Sequence, residues 1–381
     1  MNPIRLVSLT MIMLGSMTAN NFAGESLVYF GTYTGAKSKG IYVSKFDSAT
    51  GKLSAPDLVA EIKNPTFLAV APGGNFLYAV SEVDHLDGKS VGGVNAFALD
   101  AKTGKLTPLN QQLSGSGGPC HVSVDATGKS LFVANYGGGS IAAFPIRVDG
   151  SLGEVTTNIQ HTGSSVNKDR QAGPHAHFIV PSPDNRFTLD CDLGLDKIFI
   201  NHLDASSASL TPGNPFFVPV TPGFGPRHLV FSADSKFVYV INEMASSITV
   251  FSYDPKNAVM TEVQTVSTLP KDFSGNSTCA EIALHPGGKF LYGSNRGHDS
   301  IAVYAVDQKT GKLTFVEHTS TQGRTPRHFA IDPTGQWLLA ENQGSDSVIV
   351  FAIDSETGKL KPTGQALSIG APVCAVFVSE K

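Results

Sequence analysis

Histidine and arginine recur at one kind of place in this chain: shortly after a proline and just ahead of an apolar run. His121, His175, His177, Arg227, His228, Arg327 and His328 all stand there, and Glu281 occupies the equivalent position in a further segment. Arginines gathered in one place suit a phosphate or carboxylate, which a guanidinium holds through paired hydrogen bonds. Histidine and glutamate beside them could move protons. No serine lies in a nucleophile-elbow context, and no histidine pair has the helical spacing of a metal site. The run Gly137-Gly138-Gly139 follows an apolar segment but opens no helical pattern, which makes it a turn and a poor phosphate loop. The residues alone point to a small anionic ligand with hydrolysis by activated water or proton transfer.

These side chains need a scaffold that brings them together, and an internal repeat supplies it. In GPRHLVFSADSKFVYVINE, Gly225 to Glu243, two short apolar strands flank a turn, Ser232 to Lys236. An antiparallel hairpin sets the start of its first strand beside the end of its second. Arg227, His228, Asn242 and Glu243 therefore share one rim. Similar units begin at Pro65, Pro119, Pro174, Cys279 and Pro326. A third strand follows each unit, and seven such strands start at residues 40, 93, 140, 197, 247, 300 and 347. Turns such as Thr103-Gly104-Lys105-Leu106 close most copies. A period near fifty built of several short strands predicts an all-β, seven-bladed β-propeller. The chain opens with a second strand, Leu27 to Phe30, and ends with a first strand, Pro372 to Val378. Pairing the two completes one blade and closes the ring, which also protects sheet edges. No stretch has the 3.6-residue period that a parallel α/β fold would need.

Residues 1–23 stand apart. Arg5 precedes an apolar run, Leu6 to Met17, and Ala23 is a small residue suited to cleavage. The segment has the character of a secretory signal peptide and is too short for a membrane span. Residues 24–381 then form one propeller domain, periplasmic or secreted, or cytoplasmic if the leader is not cleaved. A net charge of −4 with 16% charged residues gives no reason to expect nucleic acid or membrane as a partner. A monomer with a small anionic substrate is expected. Cys120, Cys279 and Cys374 fall at first-strand starts in separate repeats, and with Cys191 they are expected to be small buried apolar side chains rather than disulfides or zinc ligands.

Aligning the repeats separates two rim positions. The second strand ends in Thr32, Ser81, Asn135, Asp192, Asn242, Asn295 and Asn342, all polar, which suits capping of free backbone groups where a strand stops. The next residues are Tyr33, Glu82, Tyr136, Leu193, Glu243, Arg296 and Gln343, which differ between copies. Variation at an equivalent position is what a single asymmetric ligand would demand of a repeated frame. A polar pocket at the channel mouth is expected. His121, Tyr136, His228, Glu281, Asn295, Arg327 and Gln343 are its candidate substrate contacts. Asn135, Asp192 and Asn242 could form part of a divalent-metal ring, but carboxylates are sparse there for a hard cation, and no metal or other cofactor is expected.

Several motifs, in order, resemble the lactonase family of seven-bladed propellers, which includes bacterial 6-phosphogluconolactonases and the fungal 3-carboxy-muconate cycloisomerase. They are FGTYTG at Phe30, GPHAH at Gly173, DLGLDKI at Asp192, GPRHL at Gly225, Asn242-Glu243, EIALHPGGKFLYGSNR at Glu281 and PRHFAIDPTGQWLLAENQ at Pro326. The resemblance spans essentially the whole chain beyond the leader. It implies hydrolysis of a small sugar lactone, of the 6-phosphogluconolactonase type, without a metal ion, or the reverse lactonisation. It implies catalytic roles for His175 or His177, Arg227, Glu243 and Arg296. Export would sit better with an unphosphorylated lactone than with a cytosolic sugar phosphate. A contrasting reading is an exported, non-catalytic propeller that binds a carbohydrate or a protein partner.

Overall fold

The computed structural model describes residues 24–379, so the leader segment lies outside the described residues. Seven antiparallel sheets follow one another around a ring. In blade 5 the strands are Pro226–Phe231, Phe237–Asn242, Ser247–Asp254 and Val259–Ser267, in that order from the centre outward. Blades 2 to 4 and 6 to 7 repeat this order. Blade 1 pairs the C-terminal strand Pro372–Ser379 with Glu25–Thr32, register Leu27 to Val378 through Gly31 to Cys374. The predicted closure by the two chain ends is therefore present. Helix is confined to one 3-10 turn, Gln343–Ser345, among the described residues.

The turns obey local chemistry. In blade 5 the Ser232 hydroxyl accepts the amides of Lys236 (3.1 Å) and Phe237 (2.9 Å), which reverses the chain. In blade 7 Asp332 does the same for Trp337 at 2.8 Å. The closing turns lock neighbouring blades together. Tyr29 Oη donates to Gly104 O at 2.9 Å, Tyr78 Oη to Gly150 O at 3.0 Å and Tyr292 Oη to Gly358 O at 2.8 Å. Gly358 has φ +72°, and a Cβ there would lie 2.4 Å from the Phe290 ring, so no side chain fits.

The second and third strands are apolar on both faces because each sheet is covered by a neighbour on either side. Among the described residues seven buried apolar clusters result, each bridging two adjacent blades. Between blades 1 and 2 lie Leu27, Tyr29, Val43, Leu77 and Phe97; between blades 4 and 5 lie Phe187, Leu189, Ile198, Val238 and Phe251. A Phe or Leu fully buried in this way contributes about 1.5–3 kcal/mol. The innermost strands touch in sequence around the ring and leave a narrow central channel. All four cysteines are free and buried in this packing.

Candidate active site

A β-bulge repeated in the innermost strands aims the functional residues. Pro226 pairs with Asn242 and His228 with Ile241, which leaves Arg227 as an extra residue with no partner on the neighbouring strand. The same slip leaves Cys120, His177, Arg327 and Val373 unpaired in blades 3, 4, 7 and 1. A bulge bends its strand and re-aims one side chain. These five side chains, with Thr66 of blade 2, face the channel centre as an upper tier.

In blades 2 to 7 the next residue forms a lower tier that plugs the channel. Ring centroids run Phe67 to His121 (4.3 Å), His121 to Phe178 (4.1 Å) and Phe178 to His228 (4.6 Å). His228 Nδ1 then meets Glu281 Oε2 at 3.1 Å, and His328 Nε2 meets the same oxygen at 3.5 Å. Arg227 Nη1 donates to His228 Nε2 at 3.2 Å, so the His228 proton sits on Nδ1 and points at Glu281. His328 Nδ1 lies 2.9 Å from the buried Glu341, whose carboxyl burial pushes well above the usual range.

Above the tiers opens a cavity of about 300 Å³, walled by Glu82, Cys120, Tyr136, Arg170, His177, Glu243, Thr278, Arg296 and Arg327. Glu243 is its centre of charge. Oε1 accepts Arg170 at 2.7 Å; Oε2 accepts Arg296 at 2.9 Å and Arg227 at 3.1 Å. Burial alone would raise the Glu243 pKa, but Arg296, Arg227 and Arg170 outweigh it and hold the carboxyl at about 2. This carboxylate stays ionised, and three of its roughly four lone-pair sites are taken. It can set the position of three guanidinium groups, but it is a poor proton carrier at neutral pH.

Arg327 differs from these three. Its guanidinium lies over the Tyr33 ring at 5.5 Å and lines the cavity, yet it makes no hydrogen bond or ion pair among the described residues. Tyr33 Oη donates to Glu82 Oε1 at 2.7 Å, and Thr66 Oγ1 donates to Glu82 Oε2, so that carboxylate is also committed. His177 is buried, and burial followed by the charge of Arg227 holds its pKa well below the ordinary value. Its Nδ1 is sealed off without a partner, so Nε2 is the nitrogen that meets the cavity.

Of the residues singled out in the sequence, the structure gathers His177, Glu243, Arg296, Arg327 and Tyr136 around this cavity. Arg227 lies one layer down, between Glu243 and His228, with Nη1 also donating to Ala280 O at 2.8 Å. His121, His228 and Glu281 belong to the lower tier and line no part of the cavity. Three further residues lie apart from the cavity. His175 stacks on Tyr136 at 4.5 Å and turns Nδ1 to Tyr136 O. Asn295 is fully buried inside blade 6, bonded to Thr268 and Ser300, so it caps a strand end and offers nothing to a ligand. Gln343 sits in the 3-10 turn, its amide on Thr325 O.

Arg170 has no counterpart in the repeat. It lies in the insertion between blades 3 and 4, whose third strands are the furthest apart in the chain, starting at Ser140 and Lys197. Asn167 Oδ1 accepts the amides of Asp169 and Arg170, both at 3.1 Å, and the buried Gln171 side chain donates to Leu193 O at 2.9 Å. That braced turn carries Arg170 to Glu243 and to Tyr136 Oη, 3.2 Å away. The unusual length of the insertion was its only trace in the sequence.

A family model described as "Lactonase, 7-bladed beta-propeller" matches residues 27–377. A 6-phosphogluconolactonase of Bacillus subtilis is 38% identical over 301 residues, 79% of this chain and 83% of that protein. A second 6-phosphogluconolactonase, from Formosa agariphila, is 34% identical over 79% of this chain and 85% of its own length. Among solved structures, the periplasmic gluconolactonase PpgL of Pseudomonas aeruginosa superposes with a TM-score of 0.88 at 36% identity, covering 93% of this chain and 99% of that one. The chain belongs to the lactonase family of seven-bladed β-propellers and is a lactone hydrolase of the 6-phosphogluconolactonase-like kind.

Proposed function

We propose that the protein hydrolyses 6-phosphoglucono-1,5-lactone, or a sugar δ-lactone bearing a comparable anionic group, without a metal ion. The observation that carries this reading is the uncommitted guanidinium of Arg327 in a cavity whose other arginines already share Glu243. A half-buried cation with free donors favours a ligand anion, held by charge-assisted bonds. His177 Nε2 takes a proton from water as the water oxygen bonds to the lactone carbonyl carbon. Arg296, with N–H groups beyond those on Glu243 and Cys279 O, faces the resulting oxyanion. Collapse breaks the bond to the ring oxygen, and His177 returns its proton to that oxygen. Glu243 holds Arg170, Arg227 and Arg296 in place throughout. The cavity carboxylates are already bonded to arginines, Tyr33 and Thr66, which supports a metal-independent route.

A second reading is hydrolysis of unphosphorylated glucono-lactone outside the cytoplasm. It is supported by the leader character of residues 1–23 and by the periplasmic gluconolactonase among the similar structures. Acid release at neutral pH from the two lactones, above spontaneous hydrolysis and with a chelator present or absent, separates these readings. Preference for the phosphorylated lactone, unchanged by chelation, is expected. Turnover of the unphosphorylated lactone alone would favour the second reading, and loss of activity on chelation would overturn the metal-free route.

A further inference from the structure

A small void lies between the two tiers, directly beneath the cavity. Its volume is about 10 Å³, the room of one water. Its wall is mostly polar: His177, Arg227 and Arg327 from above, His228, Glu281 and His328 from below. A buried water needs two to four such partners. Four residues, Glu82, Cys120, His177 and Arg327, line both the void and the cavity, so the two spaces adjoin.

We propose that this void is the seat of the hydrolytic water, which therefore attacks the bound lactone from the channel side. The inference rests on the reading of the protein as a lactone hydrolase. A lactone anchored on Arg327, at the junction of the two spaces, fills the cavity above the void and shuts out solvent water, so the nucleophile has to be in place beneath it. Of the four residues common to both spaces, Arg327 is a cation without an acceptor. Glu82 is already bonded to Tyr33 and Thr66. Burial raises the Cys120 thiol far above neutral pH. His177 is left as the proton acceptor at the junction. On the floor, Glu281 is held between His228 and His328 and accepts the Ile282 amide at 3.0 Å. One water hydrogen points to His177 and the other to Glu281. The first passes to His177 as the oxygen bonds to the carbonyl carbon. The second remains on the oxygen and becomes the proton of the new carboxyl group, lost to solvent after release. A fresh water refills the void as the acid leaves.

Val373 tests this, because it lines the void and not the cavity. Val373→Leu adds a methylene where the water would sit. With 6-phosphoglucono-1,5-lactone as substrate, kcat is expected to fall at least about tenfold while KM stays within about twofold. Val373→Ala, which widens the void, should retain more of kcat than Val373→Leu. The thermal midpoint and the KM of each variant report that fold and cavity are intact, and Val373→Ile makes a similar addition in strand-favoured form if the Leu variant does not fold. A folded Leu or Ile variant with wild-type kcat overturns the inference, as does an Ala variant hit harder than both. Absence of lactone hydrolysis by the unmodified protein would instead overturn the functional reading itself.

Discussion

Arg227 Nε and Glu243 Oε2 form a 3.1 Å ion pair with both side chains almost wholly out of solvent. Removing one partner strands a buried charge, which typically costs about 3–5 kcal/mol. Glu243→Gln should lose stability on that scale at neutral pH, read by denaturant unfolding. The pair also predicts a pH dependence. The folded carboxyl is depressed to about 2 from an ordinary 4.5, so its contribution is complete above pH 4.5 and is lost as pH falls towards 2. The stability gap between wild type and Glu243→Gln should narrow across that window. A gap that is constant from pH 5 to about 2.5 would contradict the ionised-carboxylate account.

Arg327 gives a binding prediction. Its charge-assisted bonds to substrate are each worth about 1.5–3 kcal/mol, so Arg327→Gln should raise KM for the phosphorylated lactone about 10- to 100-fold. Arg327→Lys keeps the charge but loses the planar fork and should recover only part of the affinity. Steady-state kinetics of the three proteins decide it. Unchanged KM in Arg327→Gln would remove this residue from the site.

His177 gives a rate prediction. His177→Asn should lower kcat about 10²- to 10⁴-fold, with KM little changed. The histidine stays neutral well below its ordinary pKa of 6.5, so kcat/KM should stay level from neutral to mildly acidic pH and fall only in stronger acid. An inflection near 6.5 that disappears in His177→Asn would contradict the suppressed basicity.

Ring closure gives a folding prediction. Without residues 372–381, the strand Glu25–Thr32 loses its inner partner and presents an open edge. The truncated chain should aggregate or lose cooperative unfolding, checked by size-exclusion chromatography and thermal melts. A soluble, cooperatively melting truncation would show that the ring closes without this strand.

The seven blades and their closure were legible because one hairpin pattern recurs and the chain ends carry complementary halves of it. The rim position was legible too, from Arg227, His228 and Glu243 at adjoining strand ends. The depth order was not. Arg227 and His228 stand side by side in the sequence, and only the bulge, a one-residue slip against Asn242 and Ile241, puts one in the upper tier and the other below. His175 stops short of the strand Ala176–Pro181 while His177 is its bulged residue, so the face that their spacing would share in an unbroken strand is not formed. Asn295 showed its structural role in its repetition, since every blade ends that strand in a polar residue. Arg170 was out of reach because it lies in an insertion, and a repeat alignment is blind to residues outside the repeat.

The central claim is that this cavity hydrolyses a lactone with His177 as the base. The most direct test is the initial rate of acid release from 6-phosphoglucono-1,5-lactone at neutral pH, measured for wild type and His177→Asn side by side. The account predicts a wild-type rate far above spontaneous hydrolysis and a His177→Asn rate close to it, with matching thermal midpoints. A wild-type rate at background, or a His177→Asn protein as fast as wild type, would contradict it.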